Sequence, residues 1–141
     1  MQKNIETFIT DTLHKKGMRM TRPKKKFLDF FTSEEYLKTP QELLENIKQH
    51  NIDIGLTTVY RMLNYLMEAG LTKAYSINGE LRYIFCPPDH HYHMICVKCL
   101  RVKNIFDCPV KDVKVDGFKI QSHQVDFFGI CDECSKKEVN K

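Results

Sequence analysis

From Ile5 to Lys16 the positions Ile5, Phe8, Ile9, Thr12 and Leu13 recur at helical spacing, which predicts one amphipathic helix ending at Gly17. A second helix opens at Thr21-Arg22-Pro23, where threonine suits the N-cap and proline the first turn, and its apolar side is Phe27, Leu28, Phe30 and Phe31. Thr39-Pro40-Gln41-Glu42 repeats the start signal, and Leu43, Leu44 and Ile47 make the stripe of a third helix ending near His50-Asn51. The stretch from Gly55 to a glycine stop at Gly70 predicts a fourth. Its apolar face is Leu56, Val59, Leu63, Leu66 and Met67, so Thr57, Thr58, Tyr60, Arg61 and Asn64 turn outward near its N-terminal end. Between Lys73 and Phe85 the pattern changes to two strand-forming runs around Asn78-Gly79, a β-hairpin signal. Helices followed by a hairpin are the order of a winged helix.

Cys86-Pro87-Pro88-Asp89 opposes continuation of helix or sheet. It divides the chain into a winged-helix domain at 1–85, a hinge at 86–90 and a second domain at 91–141. In the second domain, His93 to Val97 and Arg101 to Phe106 read as strands, Pro109 to Asp116 as a short helix, and Phe118 to Gln121 and Gln124 to Phe128 as further strands. The tail from Ser135 is charged and expected to fray. The fold class is α+β: a winged helix-turn-helix domain, then a small α/β dimerisation domain. Its sheet edge can accept a strand from a second copy, which predicts a homodimer.

Six cysteines change the picture, because four of them form Cys96-Val97-Lys98-Cys99 and Cys131-Asp132-Glu133-Cys134. Two intervening residues let both sulfurs of each pair approach one tetrahedral centre, so Cys96, Cys99, Cys131 and Cys134 predict one structural Zn2+ per chain. A pair of disulfides or unrelated buried thiols is the alternative. Cys86 and Cys108 read as small buried apolar residues, as thiol sensors or as replacement ligands.

At 141 residues, two half-length domains have thin cores that need help from a metal or a partner subunit. The chain shows no apolar run near a membrane span and no signal-peptide pattern, so a soluble cytoplasmic protein without a membrane partner is expected. The net charge of +4 falls by about two when four thiolates bind one divalent ion, so its distribution matters more. Lys15, Lys16, Arg19, Arg22, Lys24, Lys25 and Lys26 fall within twelve residues that contain no acid. Such a patch attracts phosphate, unless it is only a solvated face. Hydroxyls, an aromatic ring and an arginine on the fourth helix are a base-reading set for a major groove.

A winged helix with Thr57-Thr58-Val59-Tyr60-Arg61, then His90-His91-Tyr92-His93-x-x-Cys96-x-x-Cys99, then Gly129-x-Cys131-x-x-Cys134 resembles the ferric uptake regulator family of bacterial metal-dependent transcription factors. The match spans nearly the whole chain, in the family's order and spacing. The His-Tyr-His and the terminal Cys-x-x-Cys-Ser-Lys-Lys are most similar to the peroxide-sensing branch, and Tyr60-Arg61 to the iron-sensing branch. The resemblance implies dimers that bind AT-rich palindromic operators and usually repress. Tyr60 and Arg61 would approach bases, with Thr57 and Thr58 beside them, Arg19 would enter a minor groove and Lys24 and Lys25 would meet phosphate.

The resemblance also implies a regulatory ion, with His91 and His93 matching two of its ligands. The expected carboxylates align with Ile84 and Asn104, and an expected histidine falls near Leu37 or Lys38. Two histidines without carboxylates suit Fe2+ or Mn2+ poorly. His90 and His123 match positions that hold an additional ion in some members, with Tyr92 and Lys111 where partner carboxylates are expected. The alternatives are a regulator that binds DNA without iron or manganese, and a zinc-dependent protein-interaction module. A metal hydrolase would need a third ligand and a positioned base that are not evident beside His91 and His93.

Overall fold

Thr39 Oγ1 accepts from the Glu42 N–H at 3.1 Å, and the Glu42 carboxylate accepts from the Thr39 N–H at 3.0 Å. This reciprocal cap, with Pro40 in the first turn, starts α3, Pro40–Lys48. Thr21 caps α2, Arg22–Thr32, through the Lys24 N–H. With α1 (Lys3–Lys15) and α4 (Leu56–Glu68), these helices belong to the first of two units, Met1–Pro88 and Asp89–Lys141, in a computed structural model that describes residues 3–139.

The core of the first unit is a closed apolar cluster. Ile9, Leu13, Phe27, Phe31, Val59, Met62, Leu63 and Leu66 are fully buried in it. In α4 the buried stripe is Val59, Met62, Leu63 and Leu66, at i, i+3, i+4 and i+7. Met67, expected in that stripe, is exposed at its margin, and Met62 replaces it. Phe8 is likewise exposed, because its neighbour Ile9 points into the core and adjacent helical positions diverge by about 100°. Phe30 is half-buried and stacks on His50.

The wing is β1 (Thr72–Ile77) paired antiparallel with β2 (Glu80–Phe85), from Thr72 opposite Phe85 to Ile77 opposite Glu80. Asn78 and Gly79 both take positive φ, 53° and 82°, which matches the twist of a two-residue hairpin. Lys38 pairs with Tyr83 through reciprocal backbone bonds, and Arg82 reaches both the Leu37 carbonyl and the Glu42 carboxylate at 3.2 and 2.7 Å. The start of α3 is thereby fastened to the wing.

The second unit is a sheet in the order β4-β3-β5, from β3 (Tyr92–Cys96), β4 (Val102–Ile105) and β5 (Asp126–Gly129), followed by α5 (Asp132–Val139). β4 runs antiparallel to β3, and β5 parallel to it. The helix expected over 109–116 does not form: Asp112 sits at φ 55° and Gly117 at φ 81°, outside the right-handed helical region, and the valines there do not favour helix. The strand expected over 118–121 is also absent, since 115–118 closes a tight turn (Phe118 N–H to the Val115 carbonyl, 3.1 Å) and 111–121 are exposed throughout. The last strand begins at Asp126 rather than Gln124. The tail expected to fray is helical to Val139, because the second knuckle winds into a turn in which the Ser135 N–H meets the Cys131 carbonyl at 2.9 Å. Among the described residues no helix is long and apolar enough to cross a membrane.

Candidate metal centres and nucleic-acid face

The first knuckle follows β3 directly. Leu100, at φ 68°, donates to the Cys96 carbonyl at 2.9 Å and turns the chain so that Cys96 and Cys99 face one point. Cys131 and Cys134 arrive from the end of β5 and the start of α5, and the four sulfurs lie within 4.8 Å of one another. Cys99 Sγ and Cys131 Sγ are 3.8 Å apart. Metal–sulfur bonds of about 2.3 Å give a tetrahedral edge of about 3.8 Å, so the spacing fits a zinc centre and not two bonded pairs.

Charge favours the same occupant. Burial raises the Cys96 thiol, but N–H donors from Cys99, Cys131 and Lys98 outweigh it and bring it to about 6. Cys131 beside Cys134, with burial and the other two sulfurs, pushes Cys134 up to about 12, and burial raises Cys99. Four thiols so close cannot all ionise without a cation among them. A divalent ion would supply it.

His91 and His93 meet with Nε2 to Nε2 at 3.1 Å. Each Nδ1 already has an acceptor: the Asp89 carbonyl at 2.7 Å from His91, and Asp126 Oδ1 at 3.0 Å from fully buried His93. In the neutral rings those acceptors hold the protons on Nδ1, so both facing Nε2 atoms carry lone pairs. Facing lone pairs require a proton or a cation between them. Two bonds of 2.0–2.1 Å to one tetrahedral ion separate the nitrogens by about 3.3 Å, close to the spacing present.

The register extends this row. His93 stands opposite Asn104 on β4 and Asp126 on β5, so the three side chains share one sheet face. Asn104 Oδ1 is buried with no hydrogen-bond partner among the described residues. Ile84 and Leu37, where the resemblance places a carboxylate and a histidine, are buried apolar side chains. Sequence reasoning missed Asp126. Its signal was a carboxylate inside the apolar run Val125-Asp126-Phe127-Phe128, which a strand tolerates only with a partner. His90 and His123 also come together, with ring centroids at 4.8 Å, and Cys108 Sγ lies 3.1 Å from His123 Nε2.

In the first unit α4 exposes Thr57, Tyr60, Arg61 and Asn64 along one face, with Thr58 half-buried. Gln41 on α3 donates to the Tyr60 hydroxyl at 3.4 Å, and the Arg61 guanidinium lies 6.0 Å from the Tyr65 ring centre. Unlike α2 and α3, α4 begins at Gly55 without a side-chain cap, so its first amides remain available to an anion. The basic run is less free than it reads: Lys25 pairs with Glu6 at 2.8 Å, Lys16 with Glu68 at 2.6 Å, and Lys24 donates to the Arg19 carbonyl at 2.8 Å. Those acids lie far from it in sequence, but folding brings them near. Arg19, Arg22 and Lys26 are exposed around it.

The sequence model of the ferric uptake regulator family matches residues 15–128. A ferric uptake regulation protein of Bordetella parapertussis is 32% identical over 127 residues, covering 85% of this chain and 91% of its own. The fold is similar to that of the Helicobacter pylori ferric uptake regulator, described with three functional metal-binding sites (TM-score 0.63, 20% identity, 94% and 93% of the two chains). It is also similar to a zinc uptake regulator complexed with zinc and DNA (TM-score 0.62, 17% identity, 97% of each chain). By family match and identity over most of its length, the chain belongs to the ferric uptake regulator family, a family of regulators rather than enzymes.

Proposed function

We propose that this chain is a cytoplasmic, homodimeric, zinc-stapled transcriptional regulator that binds AT-rich palindromic operators, generally as a repressor, in metal- or peroxide-responsive control. The exposed face of α4 carries the reading: hydroxyls, Tyr60, Arg61 and Asn64 on a helix whose other side is locked in the core, with an uncapped N-terminus and a basic rim. Arg61 and Tyr60 read base edges in the major groove, Thr57 and Thr58 flank them, and Arg19 enters a narrow minor groove. Lys24 and Lys25 meet phosphate, Lys25 by leaving Glu6.

Cys96, Cys99, Cys131 and Cys134 hold the structural zinc, whose binding supplies folding energy to the second unit. His91 and His93 form the remnant of the regulatory site, with Asp126 orienting His93 and the Asn104 amide oxygen beside it. Imidazoles and an amide without a direct carboxylate suit ferrous or manganous ion poorly. Taking a two-state balance from 1:99 to 99:1 requires about 5.5 kcal/mol of differential affinity, so DNA binding runs without either ion.

The test is selection of duplexes from a random library with zinc-only protein, then titration of the selected duplex with and without ferrous or manganous ion, free of oxygen. AT-rich palindromes and unchanged affinity are expected. A hundredfold gain on adding either ion, abolished by His91→Ala with His93→Ala, would show a working iron or manganese sensor. Failure to enrich any duplex would remove the DNA-binding reading itself.

A further inference from the structure

Gln41 Nε2, in the first turn of α3, donates to the Tyr60 hydroxyl on α4 at 3.4 Å, and both side chains are exposed. The turn that carries Gln41 is itself held, by the reciprocal cap of Thr39 and Glu42 and by Arg82 of the wing, which meets Glu42 at 2.7 Å. Arg61, one position on, turns instead toward the ring of Tyr65 and leaves the amide to Tyr60. We infer that Gln41 is a positioning residue that sets the polarity of Tyr60, so that this phenol reads the operator as a hydrogen-bond donor. The inference rests on α4 as the DNA-reading helix.

A phenol oxygen has one proton to give and lone pairs to receive with. With the Gln41 amide on its accepting side, the O–H turns outward, and no other hydrogen bond claims it among the described residues. In the major groove a donor finds purine N7, guanine O6 or thymine O4, and it finds no partner in the amino groups of adenine and cytosine. Tyr60 therefore selects an acceptor on a base edge, which in an AT-rich operator is adenine N7 or thymine O4. Without Gln41 the hydroxyl turns either way and accepts from an adenine amino group as readily. At 3.4 Å the bond biases the hydroxyl rather than locking it, which limits the size of the effect.

The experiment uses full-length protein and a duplex that it selects from a random library, with affinities for selected and random duplex measured at one salt concentration. Single positions of the selected duplex are replaced by 7-deazapurine, which removes N7, or by 4-thiothymine, which weakens the acceptor at position 4. One such replacement should cost the wild type about threefold to tenfold, and the same replacement should cost Tyr60→Phe nothing. Gln41→Met, similar in size and without the donor, should lower the preference for selected over random duplex by about twofold to fivefold, with random-duplex affinity unchanged. Gln41→Glu, which only accepts, should lower the preference as far as Tyr60→Phe does. In the Tyr60→Phe background Gln41→Met should have no further effect. A Gln41→Met loss that persisted in that background would place the amide on the DNA directly. An analogue cost equal in Tyr60→Phe, or found at no position, would mean that Tyr60 reads no acceptor. Either result overturns the inference while α4 still reads DNA, whereas failure to select any duplex would remove both together.

Discussion

The two units solve the same problem, a small apolar core, in opposite ways. In the first, Phe27, Phe31, Leu63 and their neighbours close on one another, and capped helices and a tight hairpin hold them. In the second, Ile95, Cys96 and Val102 are the buried apolar residues among those described, and Phe106, Phe118, Phe127, Phe128 and Ile130 remain exposed. A unit of that size cannot offset its ordering entropy with three apolar side chains. On the function proposed above, it would draw on an ion at one end and on a second copy along the exposed face beside β5. The first unit is specified by its own sequence, and the second, on that proposal, by what it binds.

The largest test of that contrast is removal of the ion. Structural zinc in small domains contributes about 10–16 kcal/mol of apparent binding energy at neutral pH. Cys131→Ser should therefore unfold the second unit while the four helices of the first keep their circular-dichroism signal and cooperative melt. A variant that kept one zinc per chain and its dimer would show that the contrast is wrong.

A pair of aromatic substitutions sharpens it. Phe31, fully buried, should cost about 3–5 kcal/mol of thermal or denaturant stability when changed to alanine, with the dimer intact. Phe128, 60% exposed on edge strand β5, should leave monomer stability nearly unchanged as Phe128→Asp. It should weaken dimerisation, since burying one such side chain is worth about 1.5–3 kcal/mol and a twofold interface counts it twice. Sedimentation across a concentration series reads the second effect. A Phe128→Asp dimer as tight as wild type would move the interface off that face.

The contrast also explains what was legible in the sequence. Local signals sufficed where local chemistry decides: Thr39 with Glu42, Asn78-Gly79 and the α4 stripe needed no distant information. They failed over 109–121, where Val113, Val115, Phe118 and Ile120 carry β-propensity but meet no strand among the described residues of their own unit. The four-cysteine centre was legible because its spacing is itself geometry. The partners of His93 were not, because Asn104 and Asp126 reach it by strand register across eleven and thirty-three residues. For the same reason the acids that engage Lys16 and Lys25 escaped a reading of charge along the chain.

A smaller effect separates reading from attraction on the first unit. Arg61→Ala should lose about 1–3 kcal/mol of discrimination between operator and random duplex, whereas Lys25→Ala should weaken both equally and lower the salt slope by about one. Fluorescence anisotropy at several salt concentrations distinguishes them. Unchanged preference in Arg61→Ala would move base reading off α4.

The smallest effect is a pH dependence that the first unit should carry by itself. At Glu42 burial favours the neutral form, but the Thr39 N–H and the Arg82 guanidinium outweigh it and hold the carboxyl below its ordinary 4.5. A carboxyl lowered by folding contributes stability that is fully present above its unfolded pKa and is lost as pH falls through the lower folded value. The window therefore opens near pH 4.5 and closes below it. Glu42 is 44% exposed and Arg82 20%, so solvent screens the pair and its worth is a few tenths to about 1 kcal/mol. Glu42→Gln keeps an oxygen for the Thr39 N–H and removes only the charge. Its deficit against wild type should be constant from pH 6 to 8 and vanish in acid below the window, in urea melts that follow the helical signal of the first unit. A deficit that persisted in acid would assign Glu42 to packing alone, and the fastening of α3 to the wing would then owe nothing to charge.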